Sequence, residues 1–401
     1  MIKAVLLDLD DTLITNPFNR VNQQIEDWNR FFARTTGKPD AGLGLAKALL
    51  AVSQNTNPTE NNFDVFLRVV TAEWQVSRER AIEVFRAFYD ETYARMRDHI
   101  TPREAAPMLL DWLRGHGYMV VIATNPMFLP EGLAERMRWG GLSGNFADYT
   151  LVTHILNTQF AKPRPHYYEE IMGRLGIANE EAIMVGDDWE NDIAPAERAG
   201  LNTFWIRADG TRPGPTPADP DGEGTLNDFA RRVMSQGWLE TLTPRPLQPE
   251  MIEPRLLGNV GALFSVLREH APERWWQHPI PGEWSPLETV CHLRDSERTV
   301  QRPRLERIAT EDNPFLSTPQ DPPRPGEMGC ETDNHCDPAE EFARERQITV
   351  EFLRGLAAGA WYRPARHSIF GPTNLLEMAN FTATHDRLHL QQICQTIGEC
   401  T

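Results

Sequence analysis

Asp8 and Asp10 lie two residues apart where an apolar run ends, in Asp8-Leu9-Asp10-Asp11-Thr12. On a strand, residues two apart share a direction. At a strand end such a pair can hold Mg²⁺ and also divide the work of nucleophile and general acid. Three further places offer complementary groups. Thr124 and Asn125 follow the apolar run 118–123 and present a hydroxyl and an amide to a phosphate oxygen. Lys162 stands before Pro163, and Gly186-Asp187-Asp188 closes another apolar run, with Asp192 five residues past Asp187. Carboxylates this dense need a cation among them, and a phosphoryl group needs donors opposite. The chain has 36 arginines but only Lys3, Lys38, Lys47 and Lys162 as lysines. A compact ammonium at Lys162 therefore reads as chosen for its chemistry. The plainer reading of an acidic residue after a strand is a helix cap, and Asp11 and Asp188 are read that way.

A second constellation lies near the end of the chain. His385 and His389 are spaced i, i+4 and share one helical face, and His292 falls on an earlier predicted helix. Two imidazoles from one helix and a third from another make an open three-nitrogen site for Zn²⁺, Ni²⁺ or Fe²⁺. The plainer reading is an ordinary surface histidine pair. His335, between Cys330 and Cys336, is read as coincidence.

The elements that must position these residues divide the chain in two. Apolar runs at 2–9, 118–123, 149–153, 182–186 and 203–206 read as buried strands. Helical patterns alternate with them, at 104–117, 129–139, 165–176 and 191–199. That alternation predicts an α/β doubly wound parallel sheet, whose strand ends line an active crevice. Between the first strand and the helix at 104 lies a mostly helical stretch, which the family resemblance given below makes the place of a helical cap. Trp28, Phe31, Phe32 and Trp74 are expected to form the core of that cap. A Pro/Gly/Asp-rich loop at 208–223 and a helix at 225–238 end this part. After a proline-rich linker the strand signals vanish, and helices are predicted at 253–270, 285–309, 338–357 and 373–397. This is the pattern of an all-α four-helix bundle with a long 311–337 crossover. The expected domains are a core (1–16 and 100–240), a cap (17–99), a linker (241–251) and a bundle (252–401).

Composition narrows the function classes. The chain has 401 residues, 40% hydrophobic and 24% charged, with a net charge of −17. The acidic excess is shared by both halves, which argues against a nucleic-acid backbone as partner. No apolar run is long enough for a membrane span, and none resembles an export signal, so a cytoplasmic protein is expected with no membrane partner. The five cysteines all lie past residue 290, and their odd number favours a reduced state.

Taken in order, DLDDT (8–12), VVIAT (120–124), Lys162 in AKPRP and GDDWEND (186–192) resemble the four motifs of the haloacid dehalogenase superfamily. The resemblance covers about residues 1–240. It implies a Rossmann-like core with a helical cap, with Asp8 as the nucleophile that forms an aspartyl-phosphate. It implies Asp10 as the acid and then base, and Thr124 and Lys162 as ligands of the phosphoryl oxygens. Mg²⁺ would be held by Asp8, the Asp10 carbonyl and Asp187, with Asp192 orienting a metal-bound water or Lys162. The dehalogenase branch lacks the second Asp and the metal, so Asp10 and Asp187 point to phosphatase or phosphomutase chemistry, phosphatase first. A helical cap suits a small phosphorylated metabolite.

GEWSPLETVCHL (282–293) and ATHDRLHLQQI (383–393) resemble the DinB-like family of helical bundles, over about 250–401. That resemblance implies His292, His385 and His389 as a metal triad. Three roles for the bundle stay open: a metal-dependent hydrolase, a thiol-dependent transferase, or a non-catalytic module for dimerisation or sensing. A homodimer stays open with them.

Overall fold

A computed structural model describes residues 1–16, 22–207, 220–279, 281–317, 330, 332 and 334–399. Most of the predicted 208–223 loop, the middle of the 311–337 crossover and the first residues of the expected cap lie outside the described residues. The chain divides into two compact units, Met1–Pro165 with Asn179–Arg245, and His166–Ala178 with Pro246–Thr401.

In the first unit, β1 (Ala4–Leu7), β4 (Met119–Ile122), β5 (Leu151–Val152), β6 (Ala182–Gly186), β7 (Asn202–Ile206) and β8 (Gly222–Gly224) form one sheet. Its order is β5-β4-β1-β6-β7-β8, and every pairing is parallel. Strands buried on both faces need apolar side chains throughout, which is why β1 reads Ala-Val-Leu-Leu and β6 begins Ala-Ile-Met-Val. Leu7 pairs with Ile122 on one side and Val185 on the other. The residues just past all three strand ends are therefore level with one another. The chain leaves β1 to opposite sides, which makes this the switch point of the sheet. The sequence reading missed β8, whose Gly-Glu-Gly carries no apolar pattern.

The stretch between β1 and α5 (Ala105–Gly115) is helical, as expected. It holds α1 (Asn22–Thr36), α2 (Ala41–Gln54), α3 (Asn62–Trp74) and α4 (Arg78–Glu91). α3 and α4 start on caps, where the side chains of Asn61 and Ser77 accept from Phe63 N and Arg80 N. The two ends of the insertion are tied together by a short antiparallel pair, β2 (Ile14–Thr15) with β3 (Thr101–Pro102). The unit is completed by α6 (Pro130–Trp139), α8 (Ala194–Ala199) and α9 (Leu226–Gln236).

The second unit holds α10 (Ile252–Glu269), α11 (Pro286–Ser296), α12 (Arg302–Thr310), α13 (Asp337–Arg354) and α14 (Leu375–Glu399). A π-helical turn, Glu297–Gln301, joins α11 to α12. Two corrections apply here. Strands do occur past the linker: β9 (Phe315–Leu316), β10 (Pro364–His367) and β11 (Gly371–Asn374) form a small sheet. They are too short to show a two-residue alternation. The cysteines are not all reduced: Cys291 and Cys330 are joined by a disulfide, with Cα atoms 6.1 Å apart. This also removes Cys330 from any grouping with His335. A third difference concerns α7 (Pro165–Leu175), expected within the sheet domain. From His166 onward it packs in the second unit. No helix among the described residues is long and apolar enough to cross a membrane.

Candidate active site

The level strand ends of β1, β4 and β6 bring the sequence-predicted residues of the first constellation into one crevice. Asp8, Asp10, Thr124, Asn125, Lys162, Asp187 and Asp192 all line the same cavity of about 350 Å³. Lys162 Nζ donates to Asp8 Oδ1 at 2.8 Å and to Asp192 Oδ1 at 2.5 Å, and its side chain is 1% exposed. Asp192 also accepts from the Asp188 backbone N–H at 3.1 Å. It packs directly over Gly186, where a Cβ would collide with its carboxylate. Glycine is needed at that position for the acidic turn to fold back on the strand.

Oxygens of Asp8, Asp187 and Asp192 lie within 4.8 Å of one another, an all-oxygen donor set that matches a hard divalent cation. Left to themselves these carboxyls resist ionisation. Burial pushes Asp8 up to about 7 against the pull of Lys162, and Asp192 and Asp10 add to the rise. Asp187 is raised to about 7 by burial and then by Asp8 and Asp11. Asp192 is raised to about 6 by burial, opposed by Lys162. A cation among them would favour the ionised forms.

Asp10 points away from this oxygen cluster. Its Oδ1 accepts from Asn16 Nδ2 at 2.7 Å, and its Oδ2 pairs with Arg136 Nη1 at 2.9 Å. Arg136 is 2% exposed and its guanidinium lies 4.3 Å from the Phe128 ring centroid. Asp11 holds the loop with φ of +55° and accepts from the Asn16 backbone N–H. Asp188 caps the following turn by accepting from Glu190 N and Asn191 N, as the plainer reading expected. Sequence reasoning missed Asn16, Arg136 and the hydroxyl of Thr12, which donates to Asp187 Oδ1 at 3.2 Å. Thr12 belongs to the quoted DLDDT motif, so its signal was present. Arg136 lies 126 positions from Asp10 and has none.

The second constellation also meets. His292 on α11 and His385 and His389 on α14 each offer a nitrogen within 4.8 Å of the others. His292 Nε2 lies 3.4 Å from His385 Nε2. His389 Nδ1 is 3.0 Å from Gln392 Oε1. Burial, then His389 and His385, push His292 down to about 3. His389 is pushed down to about 4 by burial and then His385. Neutral imidazoles are the form that ligates metals. Beneath them, the fully buried Arg346 bridges Asp386 at 2.6 Å and Glu297 at 2.8 Å, and Asp386 Oδ1 lies 3.7 Å from His385 Nδ1.

Residues 2–200 match the haloacid dehalogenase-like hydrolase family. A phosphoserine phosphatase of Thermus thermophilus is 30% identical over 250 residues, covering 55% of this chain and 94% of that one. The chain belongs to the haloacid dehalogenase-like hydrolases. Residues 258–393 match the DinB superfamily, so a DinB domain follows the hydrolase. A glyceraldehyde 3-phosphate phosphatase of Methanopyrus kandleri is 28% identical, covering 52% of this chain and 84% of that protein. The pyrophosphatase PpaX of Halalkalibacterium halodurans is 23% identical, covering 50% and 82%.

Proposed function

We propose that the hydrolase domain is a Mg²⁺-dependent phosphatase of small phosphorylated metabolites, working through an aspartyl-phosphate on Asp8. The chain is an enzyme of the phosphoric monoester hydrolase class, in keeping with its family and with relatives named as phosphatases. The observation that carries the reading is Lys162, buried at 2.8 Å from Asp8 and 2.5 Å from Asp192, in a cluster that Asp187 completes. Mg²⁺ held by Asp8, Asp187 and the Asp10 carbonyl would neutralise charge on the phosphoryl oxygens. The Asp8 carboxylate attacks phosphorus as the ester P–O bond breaks. Asp10, released from Arg136, gives its proton to the leaving oxygen. Asp10 then takes a proton from the water that cleaves the acyl phosphate. Lys162 and Thr124 bind the phosphoryl oxygens throughout, and Asp192 orients Lys162. Hydrolysis of an aryl phosphate with Mg²⁺ tests this. Asp8→Asn is expected to lower kcat at least about 10³-fold, and a variant retaining wild-type turnover removes Asp8 as nucleophile.

For the DinB domain, the close approach of His292, His385 and His389 supports a resident transition metal, Zn²⁺, Ni²⁺ or Fe²⁺. On that reading the domain is a second metal-dependent hydrolase or thiol-dependent transferase. Elemental analysis of the purified chain is expected to find about one such ion per molecule, lost in His385→Ala. A metal-free wild type would leave a structural or binding module, dimerisation or sensing among its roles.

A further inference from the structure

The cavity that holds the catalytic carboxylates continues into the cap, and there its walls change character. The cap side is formed by Trp28, Phe32, Leu45, Leu49, Phe66 and Phe88, among others. Phe88 sits edge-on to Trp28 at 4.9 Å and stacks on Phe32 at 5.0 Å, so these rings form one continuous aromatic surface. The facing core loop adds Met127, Phe128 and Leu129. Among the described residues, no Lys, Arg, His, Asp or Glu of the cap lines the cavity.

Most polar groups beyond the phosphate-binding end have partners. Tyr89 accepts through its hydroxyl from Leu129 N, and Asn16 donates to Asp10 and Asp11. Arg136 is tied to Asp10 through Nη1 and stacked on Phe128, while its Nε and Nη2 are buried without a hydrogen-bond partner. Against the described cap wall, an ammonium or carboxylate on the leaving group would shed its hydration and meet no charged partner. A ring or alkyl chain would instead drive water off an apolar surface. A dry apolar cavity of roughly 150 Å³ takes one benzene ring. About 350 Å³ therefore leaves room for the phosphoryl group and a substituent of one to two rings.

We infer that this site hydrolyses phosphate monoesters of apolar alcohols, aryl or medium-chain alkyl, in preference to charged or polyhydroxylated phosphometabolites. The inference rests on the phosphatase reading above and names its substrate class. Trp28 and its ring neighbours act as the specificity surface.

The test measures kcat/KM of the full chain with Mg²⁺ on ethyl, butyl, hexyl and phenyl phosphate, 4-carboxyphenyl phosphate, phosphoserine and glyceraldehyde 3-phosphate. A rise of about tenfold for each two carbons added is expected, with hexyl and phenyl phosphate about 100-fold above phosphoserine. Calorimetry with hexylphosphonate against the phosphonate analogue of phosphoserine gives a readout independent of turnover, with hexylphosphonate binding at least about tenfold tighter. Trp28→Ala is expected to flatten the dependence on chain length, mainly through KM. Turnover that favours phosphoserine or 4-carboxyphenyl phosphate, or that ignores chain length, overturns the substrate class and leaves the phosphatase standing. Tight hexylphosphonate binding without turnover of any ester upholds the apolar site and overturns the phosphatase.

Discussion

The tightest packing in the active site is at Gly186, where the chain turns from strand into the acidic loop. Asp192 folds back over this residue and from there reaches Lys162 at 2.5 Å. A methyl group at 186 would push Asp192 away and cost Lys162 its Asp192 partner. Gly186→Ala is expected to cost about 1–3 kcal/mol from overpacking. It should also lower kcat more than tenfold with Mg²⁺ in excess, because the ammonium loses its orienting partner. Denaturant unfolding and steady-state kinetics measure both; a variant less stable but fully active would show that Asp192 does not position Lys162. At this scale much of the site was legible. Asp8, Thr124, Lys162 and Asp187 belong to short motifs at strand ends, where residue type and spacing carry the chemistry. Asn16 and Arg136 were not, because their partner Asp10 is fixed by how the cap hinge and α6 fold against it. Trp28 was read as cap core, and the structure packs it partly buried against that core and on the cavity wall, while Phe32 is fully buried core that also borders the cavity. Phe31 and Trp74, at 4% and 1% exposed, are core as expected. Apolar type alone does not distinguish a core from a cavity lining.

Elements were legible in proportion to how continuous their burial is. β1, β4 and β6 are buried and appear as unbroken apolar runs, and β7 shows as Phe-Trp-Ile after two buried polar residues. β8, β10 and β11 are short or glycine- and proline-containing, and no local pattern marks them. α11 illustrates a local signal that does carry through to the site. Ser285 accepts from Glu288 N while Glu288 accepts from Ser285 N, a capping box with Pro286 at the first helical position. The sequence Ser-Pro-Leu-Glu spells this start, and it sets the phase of the helix that delivers His292 seven residues later. Ser285→Ala removes the acceptor for a buried N–H and is expected to cost about 1 kcal/mol. Thermal unfolding in the presence of a chelator measures the cap without any contribution from bound metal. An unchanged midpoint would mean that tertiary packing, and not the cap, fixes the start of α11.

At the scale of the whole molecule, the boundary near 245 was legible as a proline-rich linker, but the allegiance of α7 was not. Among its tyrosines and aliphatic residues it also buries Glu169 and Glu170, which a sequence reader assigns to solvent. Glu169 is fully buried and pairs with both Arg255 and Arg387, while Glu170 accepts from Ser265 at 2.8 Å. Gly173 lets α10 approach closely at Ala262 and Asn259. Buried charges are costly unless paired, so these partners hold α7 only while the C-terminal residues are present. α7 begins three residues after Lys162, so the hydrolase sequence contains a helix whose buried acids are neutralised by the DinB domain. A chain ending at Arg245 would keep every catalytic motif and lose Arg255, Ser265 and Arg387 together. We expect that fragment to exchange its 166–178 amides much faster than the full chain and to unfold at a lower temperature. In the full chain, Arg387→Met removes one of the two arginines paired with Glu169 and is expected to destabilise by about 3 kcal/mol. Hydrogen exchange resolved to the α7 peptide measures both effects. Equal protection of 166–178 in the fragment and the full chain would mean that the hydrolase folds without the bundle, and that the fusion joins two independent proteins.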